Sequence, residues 1–213
     1  MIAIDGPAGA GKGTLARRLA RIYHLAHLDT GLLYRAVGLK MLEKGEDLAD
    51  ETVAIEMALS LHAKDLKNPA LRDEAVGNAA SHVASVKKVR DILLTFQRNF
   101  ANTPPAERRG VVLDGRDIGR VVLPDAPCKI YVTASPEVRA ERRLKELHEK
   151  GIDSIYEAIL EDIKVRDARD QTRKVSPLCP APDAYILDTS MMGIHEVVEK
   201  ARVYVDSKYP KGI

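Results

Sequence analysis

The stretch Gly6-Pro7-Ala8-Gly9-Ala10-Gly11-Lys12-Gly13-Thr14 follows a short apolar run, Ile2 to Ile4, and precedes a long amphipathic helical pattern. It satisfies GxxxxGK, and its strand-to-helix setting separates a phosphate-binding loop from an ordinary glycine-rich turn. Glycines let backbone N–H groups converge on phosphate oxygens without Cβ obstruction. A helix starting near Lys12 directs its positive end at the same anion. Lys12 itself supplies a mobile charge for the β- and γ-phosphates. Every residue from Gly6 to Thr14 is therefore an expected nucleotide contact. Gly13 stands where many such loops place a metal-binding Ser or Thr, and Thr14 comes one place later. Magnesium is accordingly expected to be held mainly by nucleotide and water, with no dedicated protein metal site.

A loop of this kind belongs on a parallel sheet. Five short apolar runs read as buried parallel strands: Ile2 to Ile4, Ala26 to Leu28, Val111 to Leu113, Ile130 to Thr133 and Tyr185 to Leu187. Each precedes Gly, Asp, Ser or Thr and then a helical pattern, which predicts a doubly wound α/β sheet with helices on both faces. In such sheets ligands bind at the carboxyl ends of the strands. Asp5-Gly6, Asp29-Thr30, Asp114-Gly115 and Asp188-Thr189 all fall there. Two stretches lack strands. Residues 40–106 show helical periodicity broken at Gly45, Asn68-Pro69 and Thr103-Pro104-Pro105; residues 139–174 are helical and densely charged, with a break at Gly151. The first reads as a helical insertion and the second as a lid, leaving 1–39, 107–138 and 175–213 as the core.

Composition narrows the partners. The chain has 213 residues, 30% charged but with a formal net charge of only +2, so bulk electrostatics do not favour nucleic acid or membrane. With 2 Phe, 7 Tyr and no Trp, a surface that stacks single-stranded bases is disfavoured. Cys128 and Cys179 lie in no CxxC or Cys/His cluster, so reduced thiols are expected. No run approaches the roughly 20 apolar residues that span a bilayer, and the first strand starts too early for a signal peptide. A soluble, cytoplasmic monomer acting on small molecules is expected.

The arginines are more telling. Arg35 lies one helical turn past Gly31, and Thr30 is placed either to cap that helix or to donate its hydroxyl to a bound phosphate. Asp114-Gly115-Arg116-Asp117-Ile118-Gly119 follows the third strand, which sets Arg116 and Asp117 at the sheet's carboxyl edge beside the loop. In the lid, Ile155, Ile159 and Ile163 form a stripe whose continuation lands on Arg166, Asp170 and Arg173. A solvated ion-pair face would normally lie opposite the isoleucines; Arg169 reads as such a residue. Charges on the inward stripe need an anion to meet, such as ATP together with a second phosphate. Lys12, Arg116 and Arg173 are the expected catalytic cations. Arg142, or Arg139 beside it, is expected to approach ATP when the lid closes.

Taken together, Ile4-Asp5-Gly6-Pro7 through Thr14, Leu28-Asp29-Thr30-Gly31 with Tyr34-Arg35, Asp114 through Gly119 with Pro124-Asp125-Ala126, Arg166-Asp167 through Asp170 and Arg173, Pro177-Leu178, and Ala184 through Ser190 resemble the bacterial cytidylate kinase family. The resemblance runs nearly end to end. It implies a P-loop NTPase-like fold with a central five-stranded parallel sheet, flanking helices, a monophosphate-binding insertion and a lid. It implies transfer of the γ-phosphoryl group of ATP, used with Mg²⁺, to CMP or dCMP. The substrate phosphate would meet Thr30, Arg35, Arg116 and Arg173, the ribose Arg166 and Asp170, and the base Ser81, Arg90 and Asp117. Thr30 replaces a serine common in the family and keeps its hydroxyl. The residues alone leave open another acceptor, such as UMP, AMP or shikimate, and a P-loop switch that signals by conformation. A switch would carry a base-specificity motif such as NKxD, and the chain has none.

Overall fold

The structure, a computed structural model, describes residues 1–209; the last four residues of the expected core lie outside the described residues. Five parallel strands, β1 (Ile2–Asp5), β2 (Ala26–Asp29), β3 (Val111–Gly115), β4 (Cys128–Thr133) and β5 (Tyr185–Asp188), form one sheet in the order β2-β3-β1-β4-β5. All four residues of β1 are buried, as expected of an apolar strand paired on both edges. Its register sets Asp5 opposite Gly115 of β3 and Tyr131 of β4. The carboxyl ends of β1 and β3 are thus level, and the loop after β1 opens beside Arg116. The five expected strands all form, with one correction. The fifth run reads as buried, yet β5 is an edge strand on which Ile186 is 50% exposed, Tyr185 packs half-buried on the core and only Leu187 is fully buried.

Helices cover both faces. On one side α1 (Lys12–Ile22) and α8 (Ile194–Lys208) pack Leu15, Leu19, Val197 and Val205 against Ile2, Ile4, Ile130 and Val132. On the other, Ala3, Val111 and Leu113 meet Ile118 and Val122 of a single π-helical turn, Ile118–Val122, and Ala101 of α5 (Lys87–Asn102). Residues 40–106 contain no strand among the described residues. Together with α2 (Gly31–Glu43), the helices α3 (Glu51–Leu59), α4 (Glu74–Val83) and α5 build a separate apolar core around Leu33, Val37, Met41, Val83, Val89 and Leu93. Asp50 caps α3 by accepting from the N–H groups of Thr52 and Val53, and Asn68 caps the 3₁₀ turn Pro69–Arg72. Gly38 of α2 abuts Ala79 of α4; a Cβ there would lie 2.9 Å from the alanine methyl. This crossing holds α4 against the helix that carries Arg35.

The remaining pair, α6 (Pro136–Glu149) and α7 (Tyr156–Thr172), pack through Ala140, Leu144 and Leu147 against Ile159 and Ile163. Ile155 does not join them. It precedes the first turn of α7 and is 69% exposed, so the inward stripe begins at Tyr156 and Ile159. Beyond Ile163 the stripe turns charged, as expected, and Asp170 and Arg173 are buried.

Candidate active site

The loop after β1 has the backbone its glycines predict. Gly6 has φ 144°, and a Cβ there would lie 1.9 Å from the carbonyl oxygen of Val132. Gly11, with φ 94°, opens α1 from a left-handed conformation that costs other residues strain. Lys12 is only 7% exposed, and its Nζ donates to the Pro7 carbonyl at 2.6 Å, within the loop. Burial, followed by the charge of Arg116, pushes its pKa down to about 7. The ammonium sits close to neutralisation and gains strongly from an incoming anion.

Asp5 secures the far side. Its two oxygens accept from the N–H groups of Ile118 and Gly119, each at 2.7 Å, so the end of β1 anchors the π-helical turn. Burial raises the Asp5 pKa to about 6 despite those bonds. The turn sets Arg116 and Asp117 at the sheet's edge, where the motif predicts them. Thr30 does not cap α2. Its hydroxyl donates instead to the Asp114 carbonyl at 2.8 Å, and Gly115 makes room, since a Cβ there would lie 2.5 Å from Thr30 Oγ1. His27 Nε2 shares a 2.6 Å hydrogen bond with Asp114 Oδ1.

Around this edge one cleft brings together Lys12, Thr14, Thr30, Arg35, Ser81, Arg90, Arg116, Asp117, Arg166, Asp170 and Arg173, every expected substrate-facing residue. Asp170 is the hub: Oδ2 accepts from Arg116 Nε at 3.0 Å and Oδ1 from Ser81 Oγ at 3.1 Å. Burial alone would raise its pKa, but Arg116 and Arg166 outweigh it and hold the carboxylate below its usual range. Arg166 Nε and Arg173 Nη2 are buried without a hydrogen-bond partner, while Arg173 Nε donates to the Ser176 carbonyl at 2.6 Å. Burial, then Arg116, pushes Arg166 down to about 10. Buried guanidinium donors in mutual repulsion are the chemistry of an anion cradle. Arg169 departs from the solvated reading, because its Nη1 is buried.

Arg90 and Asp117, 7% and 5% exposed, form a 2.6 Å ion pair through Nη2 and Oδ2. Arg90 also donates to the Ala84 carbonyl and lies 5.2 Å from the Tyr34 ring centroid. Arg142 turns to Thr189, giving Nη2 to its carbonyl at 2.6 Å and Nη1 to its hydroxyl at 3.0 Å; that hydroxyl in turn donates to Ala10 of the loop. Arg139 reaches the loop directly, at the Ala8 carbonyl.

Several contributors escape sequence reading. Asp5 is legible only as a strand-end position near which ligands bind, not as the anchor of the π-helical turn, and Gly77 has no local signature at all. Arg35 Nη1 donates to the Leu71 and Asp73 carbonyls, and a Cβ on Gly77 would lie 2.9 Å from Arg35 Nη2. Gly77→Ala is therefore expected to displace the guanidinium while leaving helix α4 intact, since Ala is the better helix former. With Arg35 expected at the phosphate of an acceptor substrate, steady-state kinetics should show the KM for that acceptor raised about 10-fold and the nucleotide KM unchanged; one charge-assisted hydrogen bond is worth about this much.

A phosphate loop at the end of the central strand, with a second cationic cradle across one cleft, defines a P-loop kinase. Solved structures agree on the fold: an uncharacterized protein from Eubacterium ventriosum superposes with a TM-score of 0.55 at 18% identity, covering 97% of both chains. An unliganded sugar kinase from Janibacter sp. gives 0.50 at 13%, covering 96% of this chain and 93% of its own. The cytidylate kinase family model matches residues 2–207. A cytidylate kinase of Paramagnetospirillum magneticum is 54% identical over 208 residues, 98% of each chain; one of Bradyrhizobium sp. is 53% identical over 201 residues, 94% of this chain and 93% of its own. The chain belongs to the cytidylate kinase family. No helix among the described residues is long and apolar enough to cross a membrane.

Proposed function

We propose that this protein phosphorylates CMP and dCMP with ATP, yielding CDP or dCDP and ADP. The observation that carries the reading is the cradle opposite Lys12, in which Arg166 and Arg173 hold buried, unpartnered donors. ATP lies in the Gly6–Thr14 loop, with Arg142 beside it. Residues 40–106 form the monophosphate-binding insertion and 139–174 the lid. Thr30, Arg35, Arg116 and Arg173 hold the CMP phosphate, Arg166 and Asp170 the ribose, and Ser81, Arg90 and Asp117 the base. Magnesium bound with ATP would supply further charge neutralisation; Thr14, Asp29 and Asp114, which line the same cleft, would accept hydrogen bonds from its water shell. The protein acts in the cytoplasm as a monomer, with Cys128 and Cys179 as free thiols.

One oxygen of the CMP phosphate attacks the γ-phosphorus, and the bond to the β,γ-bridging oxygen breaks, its electron pair leaving with ADP. The nucleophile is already anionic at neutral pH, so no general base is required. Positioning and charge neutralisation by Lys12, Arg116 and Arg173 carry the step, and their interactions strengthen as the cleft excludes water. Initial rates with CMP, dCMP, UMP and AMP at fixed ATP test the reading; turnover of another acceptor in place of CMP would refute it.

Arg173→Ala is expected to lower kcat/KM for CMP by about 10²- to 10³-fold, the range for losing one preorganised donor to developing charge. Arg21→Ala removes the same charge from an exposed position on α1 and should change it less than about 2-fold. Similar losses in the two variants would make Arg173 an ordinary helix-end ion.

A further inference from the structure

We infer that Arg139 is a positioning residue that, through Asp167, couples occupancy of the phosphate loop to the placement of the arginine-bearing helix α7. Arg139 is 2% exposed and its donors are distributed over three elements. Nε donates to the Ala134 carbonyl at 2.9 Å and to that of Ser135 at 3.4 Å, where β4 passes into α6. Nη1 reaches the Ala8 carbonyl in the loop at 3.2 Å and Asp167 Oδ1 at 3.0 Å. Nη2 completes a two-pronged bond to Asp167 Oδ2 at 2.6 Å. The stem of Arg139 also packs on Gly9, whose φ is 74°; a Cβ there would lie 3.4 Å from Arg139 Cβ. The loop thus touches Arg139 by a carbonyl and by a close backbone approach.

Asp167 follows Arg166 in the chain and stands one helical turn before Asp170 on α7, and Arg173 ends the same helix. A helix moves as a rigid rod, so the fork that fixes Asp167 also fixes the register of Arg166, Asp170 and Arg173 relative to the loop. The pair is neutral as a unit. Arg139 therefore adds no net charge to the cradle, unlike Arg166 and Arg173 with their unpartnered donors. Its contribution is geometric: a shift of Ala8 and Gly9 when nucleotide fills the loop is passed to the cations that hold the second phosphate. Lysine at position 139 would keep the charge but lack the planar fork needed to span Ala8 and Asp167 together.

The inference rests on the phosphotransfer reading, whose own failure would appear as no CMP phosphorylation by the unaltered protein. Its test is the coupling between the two substrates, measured by calorimetric titration of CMP with and without a non-hydrolysable ATP analogue. In the unaltered protein the analogue should tighten CMP by about 10-fold, within the usual range of coupling between sites, and CMP should tighten the analogue by the same factor. In Arg139→Lys and in Asp167→Asn that factor should fall to near 1. Turnover should drop about 10- to 100-fold, as misplacement of reacting groups by about 1 Å costs, with KM for ATP within about 2-fold of the original. The double variant should be no worse than the worse single one, because each removes the same link. Absence of coupling in the unaltered protein, retained coupling and turnover in variants whose only change is a lower melting temperature, or multiplicative losses in the double variant would overturn the inference. If Arg139→Lys does not fold, Asp167→Asn, which preserves volume and one acceptor oxygen, carries the same measurements.

Discussion

Replacing Lys12 with methionine is expected to lower kcat by about 10³-fold or more while the protein stays folded. Neutralising charge on the transferred phosphoryl group is the expected main service of this cleft; loss of one uncharged preorganised donor costs up to about that factor, and Lys12 brings a full charge besides. The fold should survive because Lys12 makes one loop bond, to Pro7, and is otherwise a buried cation whose desolvation already depresses its pKa to about 7. Methionine fills similar volume without that penalty. The same depressed pKa gives a second readout. Phosphate beside Lys12 raises its pKa, so between about 7 and the bound value ATP binding takes up a proton. Affinity should therefore weaken as pH rises above 7. Calorimetry at pH 8 in buffers of different ionisation enthalpy should detect proton uptake in the unaltered protein and little in Lys12→Met. Unaltered turnover in the variant would remove the loop from the mechanism; equal proton uptake would move the titrating group elsewhere.

The second large effect concerns the base. Cytosine presents an N4 amino donor beside the N3 and O2 acceptors, whereas uracil presents O4 as an acceptor and N3–H as a donor. Arg90 and Asp117 place a donor and an acceptor side by side, joined at 2.6 Å and shielded from water. Asp117 can accept from N4 while Arg90 donates to N3 or O2, and the Ser81 hydroxyl adapts to either role. With UMP the carboxylate would face O4 and the guanidinium an N–H. Each mispaired buried group costs about 1–3 kcal/mol, so two predict a CMP preference over UMP of about 10² to 10⁴ in kcat/KM. AMP should fare worse because a purine is larger. Asp117→Asn keeps an accepting oxygen but loses the charge that also steadies Arg90. The CMP-to-UMP ratio should fall, mainly through lower activity on CMP. The ratio itself separates this from simple unfolding, because it is independent of how much folded protein is present. If the unaltered protein uses UMP as well as CMP, or the variant keeps the ratio, Asp117 does not read the base.

The parts of this protein legible in its sequence are those whose physics is local. The Gly6–Thr14 spacing specifies a phosphate loop because backbone freedom and a helix start are properties of neighbouring residues. The same holds for the apolar runs that became the five strands and for the switch from isoleucine to charge along α7, which periodicity reveals. Even there, locality misled at the ends. Ile155 matches the helical spacing but precedes the helix and is exposed, and Tyr185–Leu187 reads like the inner strands because hydrophobicity does not encode sheet order. What only the tertiary structure decided is which polar group meets which. Thr30 could have capped its own helix, yet the register of β2 on β3 puts the Asp114 carbonyl, 84 positions away, within reach of its hydroxyl. Asp5 bonds a turn more than 100 positions distant, Gly77 makes space for Arg35, and Arg139 finds Asp167 across the α6–α7 pair. A side chain's capacity to donate or accept is written in its residue type. Its partner is selected by strand register and helix crossing, which arise from the packing of the whole chain.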